Sequence, residues 1–116
     1  MACLLRPDPT PGRDVLGTSA TTPKVFIRSD TAPNATVVAA MLGNDPIDVS
    51  DKVFTLPSLK AGVNVLNLVI EGIAADDDVQ LVEDCGGGET RLLKKKFAGS
   101  APGGANPHVG FSIHAS

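Results

Sequence analysis

The sequence predicts an all-β protein: a single β-sandwich (immunoglobulin-like, C2-like or jelly-roll) of about seven to eight short antiparallel strands, behind an irregular Pro-rich N-terminal arm. Three observations lead there. Short β-branched runs alternate with turn residues every eight to twelve positions. Twelve Gly and nine Pro punctuate the 116 residues. No long stretch carries the 3.6-residue apolar period of an amphipathic helix.

The arm is residues 1–22. Arg6-Pro-Asp-Pro-Thr-Pro-Gly cannot propagate a helix or a central strand, because each Pro lacks a donor and restricts its predecessor. Leu4, Leu5, Val15 and Leu16 are left to anchor it on the domain or on a neighbour. The sandwich domain is residues 23–116. Lys24–Ser29 opens it, with Val25 and Ile27 on one face and Phe26 and Arg28 on the other. Ala35–Leu42 is Ala-rich and apolar on both faces; its length and turn flanks favour a strand over a helix. Gly43–Pro46 is a turn, and Ile47–Val49 and Lys52–Leu56 follow as short strands. Val63–Ile70 is the strongest strand. Apolar on both faces apart from Asn64 and Asn67, it is expected at the centre, covered on each side. Asp78–Asp84 and Glu89–Phe97 form a hairpin around Cys85-Gly-Gly-Gly88, and Ala98–Pro107 is a mobile loop. His108–His114 closes the chain with Val109, Phe111 and Ile113 inward.

Charge is segregated around the hairpin. Glu71, Asp76, Asp77, Asp78, Glu83, Asp84 and Glu89 run without a base, and Arg91, Lys94, Lys95 and Lys96 follow. A symmetric four-residue loop sets Asp84 opposite Glu89, Val82 opposite Arg91, Leu81 opposite Leu92 and Asp78 opposite Lys95. Opposed unlike charges contribute roughly 0.2–1 kcal/mol each, which makes the hairpin self-neutralising. A sharper reading has Arg91, Lys94, Lys95 and Lys96 on one edge, with Glu83 and Asp84 on its neighbour, pairing copies head to tail. Edge lysines also serve to prevent sheet pairing.

Asp76, Asp77 and Asp78, in a loop before a strand, are candidate ligands for calcium, which takes six to eight oxygens. The helix–loop–helix site is excluded: counting from Asp76 puts Leu81 where Gly is required and Gly87 where the acid is required. A solvated acidic turn is the plain alternative.

Catalysis finds little support. His108 and His114 share a strand face but lie about 20 Å apart. Ser112, beside His114, lacks an evident orienting acid. Cys85 sits among acids that disfavour its thiolate. Cys3 and Cys85, with no oxidising compartment evident, are expected as two free thiols. Gly86–Gly88 opens a strand rather than a helix, so it is no phosphate cradle. A pI near 5.1 and one short basic stretch argue against nucleic acid. Absent Trp and Tyr lower a stacking-based sugar site. No apolar run reaches the ~18 residues of a membrane span, and the start does not read as a secretory signal, so a cytoplasmic location is the default. Asn34-Ala-Thr36 matches a glycosylation sequon that matters only on a secretory route.

The expectation is a non-catalytic interaction module without cofactor, an assembly or adaptor subunit working through its sheet edges, hairpin and arm. Its partner is a protein, including itself as a homo-oligomer. The alternative is a calcium-assisted carbohydrate or lipid-headgroup binder using Asp76, Asp77 and Asp78.

Overall fold

A computed structural model describes residues 3–99 and 108–116. It contains ten strands: β1 (Arg6–Pro7), β2 (Val15–Gly17), β3 (Lys24–Arg28), β4 (Thr36–Leu42), β5 (Asp45–Ile47), β6 (Phe54–Thr55), β7 (Gly62–Glu71), β8 (Asp78–Asp84), β9 (Glu89–Lys96) and β10 (His108–Ala115). They form a six-stranded sheet in the order β1-β2-β10-β7-β4-β5 and a four-stranded sheet in the order β6-β3-β8-β9. The pairs are antiparallel except β2 with β10, which run parallel. No helix is present among the described residues, and none is long and apolar enough to cross a membrane.

One core lies between the sheets. Leu66, Leu68 and Ile70 of β7 and Phe111 and Ile113 of β10 meet Val25, Val79 and Leu81 of the smaller sheet. Inward residues alternate with outward ones along β10, as its sequence pattern requires: Phe111 and Ile113 are fully buried, and Val109 packs against them. The β4–β5 connection shows why a glycine stands there. Leu42 pairs with Asp45, leaving Gly43-Asn44 as a two-residue loop, and Gly43 takes φ +60°. A glycine with positive φ at the first loop position is the type II′ arrangement that matches the strand twist.

Four expectations change. The N-terminal segment is not an irregular arm, because β1 and β2 are strands of the larger sheet, and Leu5 and Val15 are buried in the common core. Proline does not prevent this: Pro7 lies in the outermost strand, where a missing N–H costs no ladder bond. Pro46 occupies the opposite edge, in β5, for the same reason. Second, β7 is central in its sheet but covered on one face only. Leu66, Leu68 and Ile70 are buried, whereas Val63 is 64% and Val65 40% exposed.

Third, the hairpin forms with Asp84 opposite Glu89 and Val82 opposite Arg91 as expected, but a bulge follows. Leu92 has no partner, so Leu81 pairs with Leu93 and Asp78 with Lys96 rather than Lys95. The extra residue lets both leucines serve the core: Leu92 is buried in it and Leu93 packs against it. Fourth, Cys3 and Cys85 are joined in a disulfide with Cα atoms 5.0 Å apart. The expected pair of free thiols came from an inferred compartment, which says nothing about how close the fold brings the two residues. The Ala98–Pro107 loop lies outside the described residues beyond Gly99.

Candidate functional site

The side chains singled out in the sequence separate into those that hold the fold and those that face outward. Asp78 belongs to the first group. At the start of β8 it is buried, and its Oδ1 accepts from the Thr31 N–H and Oγ1 at 2.8 Å each and from Ser29 Oγ. Its Oδ2 accepts from Gln80 Nε2 at 2.7 Å and the Asp30 N–H at 3.1 Å. These donors, led by Gln80 and the Asp30 amide, hold the carboxyl far below the ordinary carboxylate range. The carboxylate thus fastens the turn after β3 to β8. Asp77 closes its own turn by accepting the Ala74 N–H at 2.8 Å, and Asp76 is exposed with φ +70°. The three acids do not converge on a common point. Among the described residues, the His, Cys, Asp and Glu side chains gathered closely enough to share a metal are Cys3, Glu83 and Cys85.

That trio is the N-terminal fastening. Glu83 is 2% exposed, and its two oxygens accept the N–H groups of Leu4 and Leu5 at 2.8 Å each. The disulfide lies alongside. The segment leading into β1 therefore crosses to the hairpin of the smaller sheet and is held there by two charge-assisted bonds and one covalent one. Glu83 is not a surface acid available to a neighbour.

Lys95 is also turned to internal use. Its Nζ donates to Asp14 Oδ2 at 2.9 Å and to the Gly110 carbonyl at 2.8 Å. It lies 4.9 Å from the centre of the Phe111 ring. The same Asp14 carboxylate accepts the Ser112 N–H, and the Asp14 N–H donates to Ser112 Oγ. β2 pairs only with Ile113–Ala115 of β10, so the free edge of β10 at Gly110 and Ser112 is closed by the side chains of Lys95 on β9 and of Asp14, the residue just before β2. An inward-pointing charge of this kind shields a strand edge from foreign strands. The bulge in β9 aims Lys95 here rather than at Asp78.

Arg91, Lys94 and Lys96 remain exposed along β9, the outer strand of the smaller sheet, and Asp84 is half-buried. The expected segregation of acid from base weakens accordingly. Asp78 and Glu83 are buried, and Glu89 reaches Arg28 of β3 at 3.4 Å.

A feature that sequence reasoning missed is the outer face of the six-stranded sheet. Outward positions on β7 are Val63, Val65, Asn67 and Val69, set opposite His114, Ser112, Gly110 and His108 of β10. On the other side, Met41 pairs with Asn67 and Ala39 with Val69, and Val38 bulges between Val37 and Ala39. Met41 is 41% and Val38 40% exposed. Leu16 of β2 and Pro46 of β5 continue the surface through their partners His114 and Met41. No Asp, Glu, Lys or Arg occupies these positions. Gly110 keeps the face flat: a Cβ there would meet Asn67 Oδ1 at 3.2 Å. The signal for this face was present as the apolar residues on both sides of Val63–Ile70, but burial on both sides explains that pattern equally well.

Ser112 and His114 point outward on β10. Ser112 Oγ is engaged by Asp14, and His114 Nδ1 has no hydrogen-bond partner among the described residues. A groove of about 450 Å³ between the sheets is lined by Ile27, Val37, Val49 and Phe54, with Asp51 and Lys52 also on its wall. No family model matches this chain, and neither a curated protein nor a solved structure matches it.

Proposed function

We propose that this β-sandwich is a non-catalytic interaction module, a structural, assembly or adaptor subunit that works by contact. The observation that carries the reading is the uncharged outer face of the six-stranded sheet, where Val38, Met41, Val63 and Val65 all stand exposed. Scattered exposed apolar residues are ordinary, but a contiguous apolar patch of a few hundred Å² marks an interaction site more often than chance. The internal duties of Asp78, Glu83 and Lys95 support the same choice, since they withdraw charge from the hairpin that would otherwise compete as the contact. Arg91, Lys94 and Lys96 then act chiefly as protection of the β9 edge.

The test is an anilinonaphthalene sulfonate dye, which fluoresces on accessible apolar surface, added to native protein diluted until it sediments at its monomer mass. Fluorescence should rise while far-UV circular dichroism and cooperative melting stay native. The double variant Val63→Lys, Val65→Lys should lose most of the signal. A native wild type that binds no dye, or a double variant that binds it equally well, refutes the reading.

A further inference from the structure

We infer that the partner of this face is a second copy of the chain, seated face to face about a two-fold axis near Val65. The inference rests on the interaction reading above and adds the identity of the partner.

The area is sufficient. A strand residue covers about 16 Å² of sheet, from a rise of ~3.3 Å and a strand spacing of ~4.8 Å. With β10, β7 and β4 of eight, ten and seven residues and shorter strands beside them, the face measures roughly 500 Å² in flat projection. Two copies bury roughly 1,000 Å² before side-chain relief is added, which meets the lower bound for a specific interface.

The chemistry favours an identical partner. A two-fold contact places the same patch on both sides, so it must be self-complementary. A patch carrying one sign of charge opposes itself across such an axis, whereas an uncharged one of apolar residues interspersed with Asn67, Ser112 and the two histidines does not. Charge appears as Glu71 at the end of β7, Arg6 on the outermost strand and the mutually neutralising Asp14–Lys95 pair beside Gly110 and Ser112 at the free edge of β10. Stacked sheets sit about 10 Å apart at an angle near 30°. Val65 lies on the middle strand of the three long ones, opposite Ser112 on β10, with Met41 on β4 a short distance along the face. The small side chains Ala39, Gly110 and Ser112 leave room between Val63, Val65 and Met41 for the same residues of the partner to interdigitate.

Sedimentation equilibrium with interference optics tests this, since a chain without Trp or Tyr absorbs weakly at 280 nm. The wild type should approach twice 11.9 kDa as concentration rises, and raising salt should not dissociate it, because no charge pair holds it. Val65→Lys and Met41→Lys, each burying an unpaired charge in the dimer, should each raise the dissociation constant about a hundredfold. The triple variant Arg91→Glu, Lys94→Glu, Lys96→Glu should leave the dimer intact. If the lysine variants do not fold, peroxide oxidation of Met41 in the wild type gives the answer. It should slow markedly as protein concentration rises into the dimeric range. A wild type that is monomeric at every concentration, lysine variants that keep the dimer mass, or Met41 oxidation independent of concentration overturns the inference. A monomer that still binds the dye leaves the interaction reading standing and removes only the second copy; a monomer that binds none removes both.

Discussion

Removing the Cys3–Cys85 bond perturbs the unfolded chain far more than the folded one, and its effect can be worked out in advance. The bridge closes a loop with a sequence separation of 82 residues. The loop-closure entropy lost from the denatured chain corresponds to about 4.5 kcal/mol at 25 °C, and measured effects of native bridges are typically about 2–4 kcal/mol. Total stability of a domain this size is about 5–15 kcal/mol, so the bridge supplies a large fraction of it. In the native state the segment has other anchors. Leu5 is 3% exposed, and Glu83 accepts the Leu4 and Leu5 amides. The double variant Cys3→Ala, Cys85→Ala should therefore keep its native far-UV circular dichroism at room temperature. Its melting temperature should fall by about 10–15 °C, from about 4 °C per kcal/mol and a loss of about 3 kcal/mol. Scanning calorimetry on the oxidised wild type, the wild type with dithiothreitol and the double variant reads this directly. The reduced wild type and the variant should melt together. If all three melt within about 2 °C, the bridge does not constrain the denatured chain and the argument fails.

Two further predictions concern side chains that close the fold. Lys95→Met keeps the length of the side chain but takes the ammonium donor from the Gly110 carbonyl and leaves the Asp14 carboxylate with the Ser112 N–H as its remaining donor. It should lower stability by about 1–2 kcal/mol in urea unfolding, and an unchanged urea midpoint would refute the edge-closing role. Asp78 makes the protein sensitive to acid. Its folded carboxyl ionises more readily than the unfolded one, so below pH about 4 the unfolded chain binds the extra proton. Stability from this group is present above that pH and is lost as pH falls further. Asp78→Asn should start less stable at neutral pH and lose less on acidification. Parallel wild-type and variant curves between about pH 5 and pH 2 would exclude Asp78 as the cause.

The features that were legible in the sequence are those set by neighbours along the chain. Alternation in His108–Ala115, the breaks at Gly43 and Gly62 and the loop Cys85–Gly88 each report local geometry, and the corresponding strands form close to where the patterns begin and end. Features set by distant partners were not legible. A bulge at Leu92 depends on whether two consecutive leucines both find the core, and one inserted residue moved Lys95 from Asp78 to Asp14. In sequence Glu83 has the look of a surface acid, because nothing near it indicates that the amides of Leu4 and Leu5 reach its carboxylate. Pro7 excludes an interior strand but not an edge strand, and an irregular arm and an edge strand fit that constraint equally well.

Val63–Ile70 shows how a correct observation about sequence led to the wrong surface. Apolar residues at successive positions predict cover on both faces, as in sheets flanked by other layers. A two-layer protein has only one covered face per sheet, so the outward Val63, Val65 and Val69 either remain in water or meet something outside the chain. Water is the costly choice: at about 25 cal/mol per Å², even a few hundred Å² of apolar surface left exposed forgoes several kcal/mol. The hairpin charges follow the opposite course. They look available in sequence, yet Asp78, Glu83 and Lys95 are drawn inward to fasten a turn, the N-terminus and a strand edge, which leaves Arg91, Lys94 and Lys96 to discourage pairing at β9. The charged side of the molecule is thus spent on fastening the fold, and under the proposed reading the side left for contact is the one without charge.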